Sequence, residues 1–251
     1  MLDELKSDSH IERDITTQTG DCHVSINNVT ARWDQASNQA TLSNITAHVE
    51  PGKLLAVIGP VGAGKSSLLM SVLGEIPLED GSVKVDGKIS YVSQQPWVFS
   101  ASLRQNIVFG NHYNASRYNK ILKACALNKD IDTMPDGDST LIGDRGVSLS
   151  GGQRARISLA RALYMEADIY LLDDPLSAVD ASVGRHLFER VIQGVLKNKP
   201  RILVTHQLQF LKEADEILIL KDGKCLGQGT FDQMSTSGID FSNLLKRDKE
   251  L

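Results

Sequence analysis

The chain has 251 residues, 41% of them hydrophobic, and its 27 basic and 31 acidic side chains leave a net charge of −4. That is long enough to bury a sizeable core, as one large domain or as a domain with a smaller lobe. No run approaches the roughly 18 continuous apolar residues of a membrane helix, the N-terminus is too polar for a signal-peptide core, and the basic residues are too scattered to grip a nucleic-acid duplex.

The expectation is a chain that neither inserts into a membrane nor is secreted, with no nucleic acid as partner. Cys22, Cys125 and Cys225 lie far apart with no paired spacing, which argues against zinc or a disulfide framework and suits a reducing cytosol. The sequons at Asn28, Asn44 and Asn114 would matter only in a secretory lumen.

Residues 1–20 are polar, charged and aperiodic, as in an interdomain linker or tail, and the domain is expected over 21–251. Alternation at Val24, Ile26 and Val29, and again from Leu42 to Val49, predicts two strands; Pro51-Gly52 then turns the chain into the apolar run Leu54-Leu55-Ala56-Val57-Ile58. Directly after it stands Gly59-Pro60-Val61-Gly62-Ala63-Gly64-Lys65-Ser66, which is the phosphate-binding pattern of glycine, four residues, then Gly-Lys-Ser. A buried strand delivers the chain to a turn whose glycines lack Cβ, so successive backbone N–H groups can close around phosphates. Lys65 neutralises β- and γ-phosphate charge, Ser66 offers its hydroxyl to Mg²⁺, and Ser67 with Leu68-Leu69 opens a helix whose positive end faces the anion. The segment predicts nucleoside triphosphate binding.

Asp80-Gly81 and Asp86-Gly87 read as hairpin turns flanked by Val83, Val85, Ile89 and Tyr91. From about 100 to 150 the pattern changes to helical spacing, as at Ile121, Leu122, Cys125, Ala126 and Leu127, and predicts a mainly helical lobe. A helix from about 151, a strand Ile169 to Leu172, a helix Phe188 to Leu196, and strands Ile202 to Val204 and Ile217 to Leu220 follow. Strands alternating with helices imply a parallel sheet covered on both faces. Lys221-Asp222-Gly223-Lys224 reads as a hairpin turn, and Phe231 to Leu251 as one or two short helices running into a charged tail.

Ile169-Tyr170-Leu171-Leu172-Asp173 ends an apolar strand in a carboxylate, the group a phosphate loop needs to hold the Mg²⁺ shell opposite Ser66. Some twenty residues upstream, Leu149-Ser150-Gly151-Gly152-Gln153 opens a helix with a serine cap and bare N–H groups, a second anion site. Alone, either motif reads as ordinary structure.

Together, in this order, they resemble the ATP-binding cassette family over about residues 23 to 245. The resemblance implies an α/β fold: a P-loop NTPase core with a mainly parallel sheet, an antiparallel β subdomain and an α-helical subdomain. It also implies ATP and Mg²⁺ as cofactors. Ser150, Gly151, Gly152 and Gln153 match the family signature, which in relatives covers the γ-phosphate held by the P-loop of a second cassette. Gln94 looks like the Q-loop glutamine that touches Mg²⁺ and senses the transmembrane partner, and His206 like the switch histidine on γ-phosphate. Asp180 in Ser177-Ala178-Val179-Asp180 resembles the aspartate that bridges two cassettes, and Trp33 the ring stacked on adenine, with a buried strand tryptophan as the alternative. Gly143-Asp144-Arg145-Gly146 resembles the segment by which exporter cassettes feel the coupling helices.

One position departs from the pattern. Active cassettes usually place glutamate after the Mg²⁺ aspartate, to orient the attacking water, and here it is Asp174, which resembles the first cassette of subfamily C multidrug-resistance exporters. Implied partners are a second cassette, in a pseudo-symmetric heterodimer with ATP between, and transmembrane domains at the cytoplasmic face of a membrane, plasma membrane above all. The isolated chain is expected to be a monomer that binds ATP and hydrolyses it slowly, with Asp174, His206 and Lys65 as its catalytic residues. An ATP-gated regulatory cassette of a channel or channel regulator is the alternative. A DNA-repair cassette is disfavoured, because only about 85 residues, without sustained heptads, separate P-loop and signature.

Overall fold

The computed structural model describes residues 22–34, 39–143, 146–236 and 238, and the backbone of 11–14. In chain order these form β1 (Ile11–Asp14), β2 (His23–Ala31), β3 (Leu42–Val49), β4 (Leu54–Ile58), α1 (Lys65–Leu73), β5 (Leu78–Asp86) and β6 (Ile89–Val92). A helical stretch follows, with β7 (Ala101–Ser102), α2 (Leu103–Val108), α3 (Ala115–Ala124), α4 (Asn128–Asp132) and β8 (Leu141–Ile142). The last part holds α5 (Gly151–Tyr164), β9 (Ile169–Asp173), α6 (Ala181–Leu187), β10 (Arg201–Val204), β11 (Glu216–Lys221), β12 (Lys224–Gly229) and α7 (Phe231–Thr236).

Six strands form a sheet in the order β12-β11-β4-β10-β9-β6, parallel except for β12, which pairs antiparallel with β11. A second sheet has the order β1-β5-β2-β3, in which β2 runs antiparallel to β3 and β5. The two-residue periodicity of a strand divides the core. Ile169 and Leu171 of β9 and Ile202 and Val204 of β10 join the four-stranded sheet and Leu68, Leu69 and Val72 of α1. Tyr170, Leu172 and Leu203 face the opposite way, onto α2, α3 and α5. The central strands are buried throughout because both faces are covered, and each fully buried Ile or Leu contributes about 2 kcal/mol. The fold class implied by the family resemblance is the one present.

Several local expectations need correction. Asp80-Gly81 is no hairpin turn: it lies inside β5, paired with β2 on both sides, and the extra residue of the bulge is on β2, where Asn28 and Val29 stand opposite Gly81 alone between the pairs Asn27–Ser82 and Thr30–Asp80. Asp86-Gly87 is a turn but not a hairpin, since it carries the chain from the four-stranded sheet into β6 of the other sheet. Within the segment read as a polar tail, Ile11–Asp14 adds a parallel edge strand along Val83 to Asp86. The helix expected at Phe188 to Leu196 begins earlier, at Ala181, and widens to π-type turns over Phe188–Val195, with Leu196 N–H donating to Val191 O at 2.9 Å. The end of the chain holds a single described helix, α7; residues 239–251, where further helix and a charged tail were expected, lie outside the described residues.

Candidate nucleotide-binding site

The loop from Gly59 to Gly64 links β4 to α1, and two glycines in it are sterically required. A Cβ on Gly59 would stand 2.1 Å from Leu220 O, and Gly64 holds a left-handed φ of 96° while a Cβ there would meet Leu42 Cδ2 at 2.9 Å. Gly64 is also the N-cap of α1 and provides no side-chain cap, so the positive end of the helix dipole faces the loop. The β11–β12 turn, a hairpin as expected, buttresses the loop: Gly223 N–H donates to Ala63 O at 3.2 Å and Gly223 O accepts from Ser43 N–H at 2.8 Å. Lys65 is 8% exposed, and its ammonium donates to Gly59 O at 2.8 Å and Pro60 O at 2.7 Å, which fixes a cation at the mouth of the loop.

A pocket of about 190 Å³ opens here. It is lined by Val61, Gly62, Ala63, Gly64, Lys65, Ser66 and Ser67 together with Gln94, Asp173 and His206, which come from four separate stretches of sequence. Thr41 and Val204 line it too; sequence reasoning had not singled them out.

Asp173 ends β9 with 2% exposure. Its Oδ2 accepts from the Tyr91 hydroxyl at 3.3 Å, while Oδ1 is buried with no hydrogen-bond partner among the described residues. Burial pushes this carboxyl above its usual range, and the nearby Ser66 and Tyr91 hydroxyls and Lys65 pull it back. An orphaned buried carboxylate oxygen beside a serine hydroxyl fits a hard divalent cation, and the uncapped amides above it fit phosphate. Ser66, Asp173 and Gln94 are thus the residues available to hold Mg²⁺.

Asp174 follows with a left-handed φ of 47° and 5% exposure. Its Oδ2 lies 4.0 Å from His206 Nε2, and its Oδ1 is buried and unpartnered among the described residues. Burial raises this carboxyl as well; His206 opposes the shift and Asp173 adds to it. Trp33 stands beyond the end of β2, 52% exposed, with its indole N–H donating to Ser67 Oγ at 3.0 Å. The alternative of a buried strand tryptophan is excluded by that exposure. Trp97 is held elsewhere, 3.7 Å from the guanidinium of buried Arg161, which also donates to Trp97 O at 3.1 Å. Arg161 is lowered to about 10 by burial.

None of Ser150, Gly151, Gly152, Gln153 and Asp180 lines this pocket. They gather on a separate surface, where a Cβ on Gly152 would stand 3.0 Å from Ala178 O. Ser150 and Gln153 form a reciprocal capping box on α5: Gln153 N–H donates to Ser150 Oγ at 3.1 Å, and Ser150 N–H donates to Gln153 Oε1 at 2.8 Å. Because Ser150 Oγ accepts that bond, its own proton remains to donate outward. Gln153 Nε2 donates to Asp130 Oδ1 at 3.0 Å, and Asp130 also pairs with Arg156. Gln153 thus acts as a brace. Asp130 was missed because it sits 23 residues from Gln153 with no local motif to mark it. Asp180 caps α6 through the amides of Ser182 and Val183, and its pKa is lowered, chiefly by the Ser182 hydroxyl. Asp144 and Arg145, expected to face coupling helices, lie outside the described residues.

No helix among the described residues is long and apolar enough to cross a membrane. The ABC transporter family profile matches residues 42–177, more than half of the chain. ATP-binding cassette sub-family C member 4 of Homo sapiens is 61% identical over 227 residues, covering 90% of this chain and 17% of that protein. Its namesake from Mus musculus is 56% identical over 251 residues, covering 100% of this chain and 19% of that protein. A Drosophila melanogaster protein named a probable multidrug resistance-associated protein is 48% identical over 228 residues, covering 90% of this chain and 17% of its own length. The chain therefore spans less than a fifth of these relatives, and with its P-loop, Asp173 and signature in the order and places described, it belongs to the ABC transporter family.

Proposed function

We propose that this chain is the first nucleotide-binding domain of a subfamily C exporter, binding ATP with Mg²⁺ and hydrolysing it slowly. One observation carries the reading: a single pocket unites the Gly59–Ser67 loop with Gln94, Asp173 and His206, while an aspartate fills the place next to Asp173. Lys65 and the loop amides would bind the phosphates and Trp33 the adenine. Ser66, Asp173 and Gln94 would hold Mg²⁺, which when bound neutralises phosphate charge. His206 would contact the γ-phosphate, and Asp174 would orient the attacking water from too far away. The reaction is phosphoryl transfer to water, helped by groups fixed before the charge develops.

The signature surface lies apart from the pocket of the P-loop, which supports a composite site. A second cassette would close over this P-loop, and Ser150, Gly151 and Gly152 would cap the P-loop of that partner, with Asp180 at the junction. The assembly would sit at the cytoplasmic face of a membrane, power transmembrane domains, and export organic anions and drug conjugates. The names of the relatives, one of them a probable multidrug resistance-associated protein, support this. Asp174 also favours a second reading, an ATP-gated regulatory cassette in which occupancy rather than turnover is the signal. Calorimetric titration with Mg²⁺ and ATP tests the shared core of both. Association that Lys65→Ala abolishes is expected, and a folded chain with no association overturns it.

A further inference from the structure

Tyr91 has no part in the site as derived so far. It lies on β6, three residues before Gln94, with its ring packed along the core between the two sheets. Its hydroxyl donates to Asp173 Oδ2 at 3.3 Å. The other oxygen, Oδ1, is the buried acceptor that has no partner among the described residues. The phenol thus occupies one side of the carboxylate and leaves the other for a ligand.

We propose that Tyr91 is a positioning residue for the cation, holding Asp173 in the rotamer that presents Oδ1 to Mg²⁺ while its place on β6 sets the Gln94 loop against the same ion. This rests on the assignment of Asp173 to Mg²⁺. A carboxylate ligand left to rotate loses part of its affinity, and groups that brace metal ligands from behind typically contribute ten- to a hundredfold. With a long bond at a half-buried hydroxyl, the effect belongs at the lower end of that range. The competing view is a tyrosine that merely fills the edge of the core, and a phenylalanine would do that equally well.

Tyr91→Phe separates the two, since it keeps the ring and removes only the hydroxyl. ATP affinity is measured by calorimetry in excess EDTA and again across a Mg²⁺ titration, for wild type and variant, with thermal unfolding to confirm an intact fold. The expected result is unchanged affinity without Mg²⁺ and a Mg²⁺-dependent gain reduced about tenfold in the variant. Equal Mg²⁺ dependence in the two proteins overturns the inference. Absence of any Mg²⁺-dependent gain in the wild type would instead overturn the assignment of Asp173. Should Tyr91→Phe unfold, Tyr91→Leu provides the second arm: it also removes the hydroxyl while keeping an apolar side chain at the edge of the core, so a reduced Mg²⁺-dependent gain with Mg²⁺-free affinity kept supports the proposal, and a wild-type Mg²⁺ dependence overturns it.

Discussion

Replacing Asp174 by glutamate is predicted to raise ATP turnover at this site without changing ATP affinity. Aspartate is one methylene shorter than the glutamate usual at this place, which draws its carboxylate back by about 1 to 1.5 Å, since a C–C bond is ~1.5 Å long. Misplacement of a reacting group by about 1 Å can cost on the order of 100-fold in rate, or about 2.7 kcal/mol of barrier. Against this stands the backbone: φ at Asp174 is 47°, and the left-handed region suits Asp better than Glu, so the variant should lose about 1 kcal/mol of stability. The assay is phosphate release at saturating Mg²⁺ and ATP by this chain paired with the proposed second cassette, any catalytic carboxylate of that partner being neutralised so that only this site reports. A rise approaching 100-fold is the upper bound, and a clear rise is expected. Turnover equal to wild type with ATP affinity intact would show that the length of this carboxylate does not limit the reaction.

The remaining predictions use the same pocket. Burial holds Asp174 above the ordinary carboxylate value of 3.8, so the folded chain retains that proton to higher pH than the unfolded chain does. The penalty for a buried charge is absent below 3.8 and is complete once pH has risen past the raised folded value. Asp174→Asn should therefore melt a few degrees higher than wild type at neutral pH, with the gap closing as pH falls toward 4; a gap that is absent at pH 7, or that widens in acid, counts against the assignment. Trp33 and Trp97 are the two tryptophans, so in a Trp97→Phe chain ATP should quench the fluorescence of Trp33 alone. Trp33→Ala should then weaken ATP binding by up to about tenfold, the worth of one aromatic stack, and unaltered affinity would remove Trp33 from the adenine site.

Much of this site is legible from residue order because the phosphate loop is built from local geometry. Gly59 and Gly64 are needed where no Cβ fits, and Lys65 and Ser66 follow at fixed offsets. Gln94, Asp173 and His206 are weaker signals individually and gain meaning only when the parallel sheet sets β6, β9 and β10 side by side, so that the chain after each strand enters the same pocket. The misreadings have the same root. Asp80-Gly81 has the chemistry of a hairpin turn, yet β2 supplies a partner on both sides of it and the strand continues through a bulge. Asp86-Gly87 does turn, but which sheet receives β6 is decided by its register with Ile169 to Leu172, far along the chain. Asp130 and the Tyr91 hydroxyl brace Gln153 and Asp173 across 23 and 82 residues, separations over which sequence spacing carries no geometric information.

The central claim is that the backbone amides and ammonium around Lys65 grip a triphosphate with help from Asp173. Titration of Mg²⁺ and ATP into the chain by calorimetry measures this directly, with Lys65→Ala as the paired variant. The account predicts a saturable heat for wild type that weakens on the order of 100-fold or more in Lys65→Ala, as expected when one partner of a buried charged contact is removed. Indistinguishable heats for two folded proteins, or none for the wild type, would contradict it.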